Sequence, residues 1–183
     1  GFAEILKHAL AEDAAFFERL LAPDADLGDL DFVGECIEHT IRLKCALIVA
    51  DPSERDQGMV LHYGHTVGHA VEQATGYRLG HGHSVAIGMV AAAHLAAELG
   101  VAELGVLEAH HGLLARHGLP RAIPDDAPLS SLLAPLRASK RRVGDTLQMA
   151  LVARVGELHR GSRGAALSIP LPRLVRSLEA LAP

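Results

Sequence analysis

Leu61-His62-Tyr63-Gly64-His65-Thr66-Val67-Gly68-His69-Ala70-Val71-Glu72 and, after it, His81-Gly82-His83-Ser84-Val85-Ala86 place five histidines between positions 62 and 83. Neutral imidazole binds zinc-like cations near pH 7, so this cluster is the strongest indication of a metal centre in the chain. Two of the histidines, His65 and His69, are four positions apart and would share one face of a helix. The stretch therefore predicts a helix that presents imidazole rings to a single site.

The histidine pair is compatible with two arrangements. Both rings can bind one metal, or one can bind it while the other moves protons, because a metal-bound imidazole is not available as an acid or base. Two histidines and one carboxylate would leave an open position for substrate on zinc. Spacing alone does not choose the carboxylate. Glu72 can orient His69 or remain a solvated helix residue, and Glu4, three positions before Lys7, can bind the metal or form a surface ion pair.

The composition favours one mainly α domain over residues 1–183. Of the 183 residues, 49% are hydrophobic, only 3% are aromatic and none is Trp, so the core must be built from small aliphatic side chains. Apolar residues recur at helical spacing between breakers such as Asp51-Pro52. The pattern predicts helices at 2–21, 30–50, about 60–75, 85–99, 102–117, 129–138 and 171–181, a turn at 80–82, an N-cap at Ser84 and a short strand or hairpin near 146–156.

Charge and hydropathy argue against two classes of partner. The formal net charge is -5 and no long basic run occurs, so nucleic acid is not expected to bind. No uninterrupted apolar run reaches the roughly 20 residues that cross a bilayer, and the first residues lack the layout of a secretory signal. We therefore expect no membrane partner, a cytoplasmic location and a small-molecule ligand.

Four motifs follow one another along the chain. They are Gly1-Phe2-Ala3-Glu4-Ile5-Leu6-Lys7, then Leu43-Lys44 with Asp51 and Glu54 after it, then residues 63–72, then residues 81–89. Together they resemble the carboxy-terminal domain of the 3-dehydroquinate synthase family, the sugar-phosphate cyclases. The resemblance covers nearly the whole chain and implies the helical carboxy-terminal domain of the dehydroquinate synthase-like fold.

The resemblance also implies roles for individual residues. A divalent metal, zinc or cobalt, would be held by Glu4, His65 and His81. His69 would lie near the substrate phosphate and take part in proton transfer. The family's substrate-contacting lysines are matched by Lys7 and Lys44.

A basic segment near the end of the chain, Ser139-Lys140-Arg141, resembles the Asp-Lys-Lys segment of the family. Lys140 and Arg141 are therefore candidates for contact with a substrate phosphate. The alternative is that both side chains belong to a solvated basic loop.

The amino-terminal half of the family, which binds NAD, has no counterpart in this chain, where no GxGxxG follows a strand. Family members use NAD to oxidise a ring hydroxyl, eliminate phosphate, return the hydride and close a carbocycle by aldol addition. The resemblance thus implies a sugar-phosphate substrate, NAD bound by the missing domain and a homodimeric full-length enzyme. We expect this chain to be a truncated or separately encoded half that is inactive alone.

Residues 57–63 depart from the dehydroquinate synthases. They lack the arginine associated with the substrate carboxylate, and His62 stands where Asn is usual. Loss of an arginine whose fork fits a carboxylate predicts a substrate without that group. The stretch is also shorter than in the dehydroquinate synthases, and the 2-deoxy-scyllo-inosose synthases, which act on glucose 6-phosphate, share such a shortened segment. We therefore expect that reaction ahead of dehydroquinate formation, with His62 in contact with substrate.

The competing interpretation is a non-catalytic helical metal-binding or interaction domain, a remnant without its nucleotide-binding half. The complete set of candidate ligands, together with Lys7, Lys44 and His69, favours chemistry instead. The role of His83, which stands where the family commonly has Glu, is open: it can support neighbouring residues or lie exposed.

Overall fold

The structure is a computed structural model that describes residues 1–162 and 164–182. Within these residues it is mainly helical with a few short strands, which confirms the predicted fold class. The α-helices are α1 (Phe2–Glu12), α2 (Ala14–Leu21), α3 (Leu30–Ala50), α4 (His65–Ala74), α5 (His81–Glu98), α6 (Val106–Arg116), α7 (Leu129–Arg137) and α8 (Leu171–Leu178). Short 3₁₀ helices cover Gln57–His62 and Glu179–Leu181. The strands are β1 (Arg142–Val143), β2 (Thr146–Met149), β3 (Val152–Arg154), β4 (Glu157–Leu158) and β5 (Leu167–Pro170).

Helix α5 forms the centre of the core. Every residue from Ser84 to Ala93 is buried, as expected for a helix that is packed on all sides. Even so, none of the described helices is long and apolar enough to cross a membrane. Helix α4 and the residue before it pack tightly on α5, because a Cβ on Gly88 would lie 1.9 Å from the carbonyl oxygen of Gly64. The close contact requires glycine at position 88 and fixes the start of α4 against the middle of α5.

The first predicted helix, 2–21, is wrong as a single element. Asp13 has an extended backbone with φ -142° and ψ 93°, which ends α1 at Glu12. Its carboxylate accepts a hydrogen bond from the Phe16 N–H at 2.9 Å and so caps α2. The same carboxylate contacts Nε2 of His39 on α3 at 2.8 Å. Asp13, which caps α2 and contacts α3, therefore divides the predicted helix in two although the apolar pattern is continuous.

The predicted helix at about 60–75 is also interrupted. Gly64 has φ 76°, in the left-handed region that glycine adopts without a steric penalty. A 3₁₀ helix, Gln57–His62, precedes this glycine, and α4 begins directly after it at His65. The turn therefore makes the imidazole of His65 the first side chain of its helix.

The predicted turn at 80–82 and the predicted N-cap at Ser84 are wrong. Gly80 has φ 77°, and α5 begins at His81, directly after it. The Ser84 hydroxyl donates back to the Gly80 carbonyl oxygen at 3.1 Å and lies inside the first turn. As in α4, a histidine thus stands at the start of the helix.

The carboxy-terminal third contains the predicted short helices and strands. Helices α6, α7 and α8 lie inside the predicted ranges 102–117, 129–138 and 171–181. The range 146–156 holds β2 and β3, but these strands belong to different sheets. Strand β2 lies between β1 and β5 in an antiparallel sheet, with Leu147 opposite Ile169, whereas β3 pairs with β4.

A buried polar pair, Tyr63 and His110, joins α6 to the segment before α4. Both residues are 0% exposed. The Tyr63 hydroxyl lies 2.7 Å from Nε2 of His110, and Nδ1 of His110 lies 2.7 Å from the Val106 carbonyl oxygen. Because a carbonyl oxygen only accepts, Nδ1 carries the hydrogen and Nε2 accepts from the tyrosine. Burial lowers the pKa of His110 to about 4, so the ring is neutral near pH 7.

We expect acid to weaken the fold through His110. The pKa of His110 is about 4 in the folded chain and about 6.5 in the unfolded chain. The buried neutral ring therefore contributes fully to stability above about pH 6.5, and this contribution is lost as the pH falls towards 4. Between about pH 7.5 and pH 5 the loss is about 2 kcal/mol in the free energy of unfolding. Urea unfolding of the unchanged chain and of His110→Gln at both pH values measures it. The unchanged chain and His110→Gln have all other histidines in common. An equal loss of unfolding free energy in both would therefore contradict the assignment of this loss to His110.

Candidate metal centre

His65 is held in one ring orientation at the start of α4. Its Nδ1 lies 3.0 Å from the Tyr63 carbonyl oxygen, so Nδ1 carries the hydrogen and Nε2 keeps its lone pair. Nε2 faces Oε1 of Glu4 at 3.4 Å. Burial, and then the nearby Lys7 ammonium, lowers the pKa of His65 to about 4. The ring is therefore neutral, which is the form that binds a metal.

Glu4 reaches the same point from α1. Its Oε2 accepts a hydrogen bond from Nζ of Lys7 at 2.7 Å, and Lys7 also donates to the Leu61 carbonyl oxygen at 3.0 Å. Its Oε1 is buried and has no hydrogen-bond partner among the described residues. Burial by itself raises the pKa of Glu4, but the charge and hydrogen bond of Lys7 outweigh burial and leave that pKa below its usual value. Glu4 is thus an anion that presents one buried oxygen to a cation.

His81, the first residue of α5, completes the group. One potential ligand atom from each of Glu4, His65 and His81 lies within 4.8 Å of the other two. Nδ1 of His81 lies 3.4 Å from a carboxylate oxygen of Glu72, an arrangement that leaves Nε2 for a metal. Two imidazole nitrogens and one carboxylate oxygen form the donor set that zinc-like cations accept with a position left open. The residues present therefore fit a divalent cation.

A second group of potential ligands overlaps the first. His69, Glu72 and His81 also bring ligand atoms within 4.8 Å of one another. This group is more exposed than the first, and a ring that donates Nδ1–H to Glu72 cannot give that nitrogen to a metal. The buried oxygen of Glu4, which has no hydrogen-bond partner within residues 1–162 and 164–182, favours the first group.

His69 lies beside the first group without joining it. Its ring stacks on that of His81 with 5.8 Å between centroids and 30° between planes, and it meets the His65 ring edge-on at 5.3 Å. The side chain of His69 is exposed. This geometry is compatible with a metal on His65 alone, and the part of His69 in proton transfer stays a prediction.

An open cleft of about 530 Å³ borders the cluster. Helix α4 contributes His65 and His69 to its lining, and the segment after α7 contributes Lys140 and Arg141. His62 also lines the cleft. The other lining residues are Thr66, Ala70, Gln73, Pro135, Ala138 and Ser139. The residues that the sequence assigned to proton transfer and phosphate contact thus face one space.

Glu54, which has no predicted role in the site, contacts two residues that line this cleft. Its carboxylate contacts Nε2 of His62 and accepts from Nη2 of Arg141 at 3.3 Å, and the Arg141 guanidinium also contacts His62. Glu54 has φ 52°, in the left-handed region that side chains other than glycine rarely adopt. Burial, and then Arg141, lowers the pKa of His62 to about 4. In the sequence, Glu54 belongs to the motif with Lys44 and Asp51, and His62 and Arg141 were predicted to contact substrate, but no pattern joined the three residues.

Besides Glu4 and His81, three further predicted or open positions, Lys7, Lys44 and His83, lie outside the cleft lining. Lys7 is 1% exposed and its ammonium is used by Glu4 and by the Leu61 carbonyl group. Lys44 is exposed on α3, and His83 is exposed on α5. Burial lowers the pKa of Lys7; Glu4 opposes this effect and Lys44 adds to it. Contact of either lysine with substrate stays a prediction.

Comparison with known proteins gives a consistent set of relatives. A protein-family model described as 3-dehydroquinate synthase C-terminal matches residues 1–142. The 3-dehydroquinate synthase of Symbiobacterium thermophilum is 35% identical over 161 residues, covering 86% of this chain and 45% of that protein. The 2-deoxy-scyllo-inosose synthase of Streptomyces kanamyceticus is 35% identical over 176 residues, covering 92% of this chain and 45% of that protein. The chain spans about half the length of the curated relatives it matches.

Solved structures agree with these matches. A 2-deoxy-scyllo-inosose synthase complexed with carbaglucose-6-phosphate, NAD+ and Co2+ superposes with a TM-score of 0.80 at 23% identity, covering 98% of this chain and 51% of that chain. The 2-epi-5-epi-valiolone synthase of Streptomyces hygroscopicus subsp. jinggangensis 5008, with NAD+ and Zn2+ bound, gives 0.70 at 21% identity, covering 98% and 49%. At these identities the likeness establishes the fold.

Proposed function

The chain belongs to the 3-dehydroquinate synthase family, and from this we propose that it is the metal-binding catalytic half of an NAD-dependent sugar-phosphate cyclase that converts glucose 6-phosphate to 2-deoxy-scyllo-inosose. One observation supports the proposal most strongly. Potential ligand atoms of Glu4, His65 and His81 lie close together, beside a cleft that is lined by His69 and Arg141. A cation group next to basic phosphate-binding residues and a free imidazole suits a phosphate-eliminating cyclase.

Each side chain has its own task in this proposal. A divalent cation bound by Glu4, His65 and His81 would supply Lewis acidity to a substrate oxygen. Lys7 keeps Glu4 anionic and holds its second oxygen. A ring nitrogen of His69, exposed to the cleft, accepts a proton from the substrate and returns it.

Two basic residues of the cleft lining bind the phosphate in this proposal. They are Lys140 and Arg141. Glu54 holds Arg141 through Nη2, so the other N–H groups of the guanidinium are available to phosphate oxygens. The phosphate would then be bound in the cleft that His69 also lines, with the imidazole near the substrate.

The chemistry at position 62 favours glucose 6-phosphate over a carboxylated sugar. His62 is neutral because of burial and of Arg141, and no arginine occurs in residues 57–63 to hold a carboxylate in a bidentate pair. A neutral imidazole suits a sugar hydroxyl. Dehydroquinate formation is the second candidate, and 35% identity to the Symbiobacterium thermophilum relative supports it.

The proposal for the complete enzyme includes a second domain. The relatives are about twice as long as this chain, and two related structures contain NAD+ with Co2+ or Zn2+. We assign NAD binding to an amino-terminal half, propose a homodimer for the complete enzyme, and expect this chain alone to be inactive.

A fusion of this chain to the amino-terminal half of the Streptomyces kanamyceticus relative tests the function. With NAD+ and Co2+ present, we expect phosphate release from glucose 6-phosphate and little from the carboxylated precursor of dehydroquinate. Arg141→Gln in the fusion should lower kcat/KM roughly 10- to 100-fold, because a charge-assisted hydrogen bond contributes about 1.5–3 kcal/mol. Arg176→Gln, an equal change at an exposed position of α8, is the matched control.

Two results would contradict the proposal in different ways. Phosphate release from the carboxylated substrate alone would assign the chain to dehydroquinate formation. A folded, metal-bound fusion that releases phosphate from neither substrate would favour the non-catalytic metal-binding domain.

A further inference from the structure

We propose that Tyr63 and His110 are positioning residues for the cation site, because together they fix the carbonyl group on which His65 is anchored. The proposal rests on the assignment of Glu4, His65 and His81 as cation ligands. Neither Tyr63 nor His110 lines the cleft, so their influence on the site passes through the ring of His65.

The orientation of His65 depends on the Tyr63 carbonyl group. The hydrogen bond from Nδ1 to this oxygen, 3.0 Å long, selects the tautomer that leaves Nε2 with a lone pair. It also stops rotation of the ring and directs Nε2 at Oε1 of Glu4, 3.4 Å away. Partners of this kind are known to tune the metal affinity of a ligating histidine. A carbonyl group that could move would not serve this purpose.

The Tyr63 carbonyl group is held from two sides. The Tyr63 side chain is 0% exposed, and its hydroxyl lies 2.7 Å from Nε2 of His110 and 3.3 Å from the Met89 carbonyl oxygen of α5. Gly64, the next residue, is closely packed, because a Cβ at this position would lie 2.7 Å from the Met89 side chain. Because the hydroxyl has one hydrogen and donates it to His110, Met89 holds this segment by packing; residue 63 is thus hydrogen-bonded to α6, and Gly64 is packed against α5.

The hydrogen bonds of this group run in one direction. Nδ1–H of His110 donates to Val106, the hydroxyl of Tyr63 donates to Nε2 of His110, and Nδ1–H of His65 donates to the Tyr63 carbonyl oxygen. Because the Val106 oxygen can only accept, the tautomer of His110 is fixed, and the tyrosine hydroxyl is left to donate to it. The series ends at Nε2 of His65 with its lone pair facing Glu4.

A purely structural role does not require these two side chains. Burying a hydroxyl and an imidazole costs free energy unless both are fully hydrogen-bonded, and an apolar pair of similar volume would pack the same space without that requirement. The polar pair does what an apolar pair would not: its directional hydrogen bond holds the Tyr63 side chain on α6, and with it the backbone carbonyl group that His65 contacts.

Cobalt titration of the full chain tests the proposal. Tyr63→Phe removes one oxygen atom and should weaken Co2+ binding about tenfold in competition with a chromophoric chelator, the lower end of the effect seen when a partner of a ligating histidine is lost. His110→Gln should weaken it similarly, and the double variant no further, because both changes break the same series. The visible absorption of bound Co2+ should shift in each variant. Ile169→Val, in β5, is the control for a general loss of stability.

A second measurement needs no metal. In the metal-free chain, nitrogen NMR of the His65 ring should show the Nδ1–H tautomer, and Tyr63→Phe should add the other tautomer. Unchanged Co2+ affinity, absorption and tautomer in both single variants would overturn the positioning role while leaving the cation site intact. Failure of the unchanged chain to bind Co2+ would instead overturn the proposed function, and the positioning role with it.

Discussion

Glu4→Gln should bind Co2+ more than about 100-fold more weakly than the unchanged chain, a larger loss than the roughly 10- to 100-fold typical when a partner of a ligand is removed. The reason is that the amide replaces an anionic oxygen that is buried, has no partner among the described residues and lies 3.4 Å from Nε2 of His65. The amide also gives up the charge that balances Lys7, which is 1% exposed. Metal analysis after dialysis, together with chelator competition, measures the loss.

Matched variants separate ligand loss from general damage. Glu12→Gln makes the same chemical change at the end of the same helix and should leave Co2+ binding unchanged. His65→Ala and His81→Ala should abolish stoichiometric binding, whereas His69→Ala should largely keep it, since His69 lies outside the first group. Stoichiometric metal in a folded triple variant, Glu4→Ala with His65→Ala and His81→Ala, would refute the ligand assignment.

Gly88→Ala is expected to prevent stable folding. The added Cβ would lie 1.9 Å from the Gly64 carbonyl oxygen and 2.7 Å from the Gly68 backbone nitrogen. These are backbone atoms, so no side-chain rotation relieves the overlap, and the loss should exceed the 1–3 kcal/mol, roughly, of ordinary overpacking. Such a loss is a large share of the roughly 5–15 kcal/mol that stabilises a typical domain. Circular dichroism and urea unfolding measure it.

Gly112→Ala provides the control for that change. Gly112 is exposed on α6, and a Cβ at this position meets nothing within 4 Å. Replacing glycine by alanine in an open helical position should raise the free energy of unfolding by about 0.5–1 kcal/mol. Similar behaviour of the two variants would show that the contact between α4 and α5 is not as tight as described.

Periodicity predicted the helices well where packing follows the sequence pattern. The range 30–50 corresponds to α3 in full, because apolar spacing, an Asp29 cap and the Asp51-Pro52 breaker all agree. The same reasoning failed at Gly64 and Gly80. A glycine inside an apolar pattern can sit within a helix, as Gly68 does, or start one with positive φ, and only the packing partner decides which.

The candidate site was predicted only in part by spacing. Spacing placed His65 and His69 on one face, and their rings are indeed adjacent, but it did not choose the carboxylate or separate the roles of the two rings. Glu4 comes from a distant part of the chain, and local pattern does not encode such contacts; the family resemblance supplied it. Glu54 went unassigned because its reach to Arg141 depends on a left-handed backbone conformation that no local pattern signals.

The three candidate ligands come from three separate helices, at residues 4, 65 and 81. A cation bound by all three would close two long loops that stay open in the unfolded chain, which lacks a preformed site. By mass action it would add about 2.7 kcal/mol to the free energy of unfolding at a free concentration 100 times its Kd. The cellular supply of the metal would then set how much of this protein persists folded, and scarcity would reduce its abundance as well as its turnover.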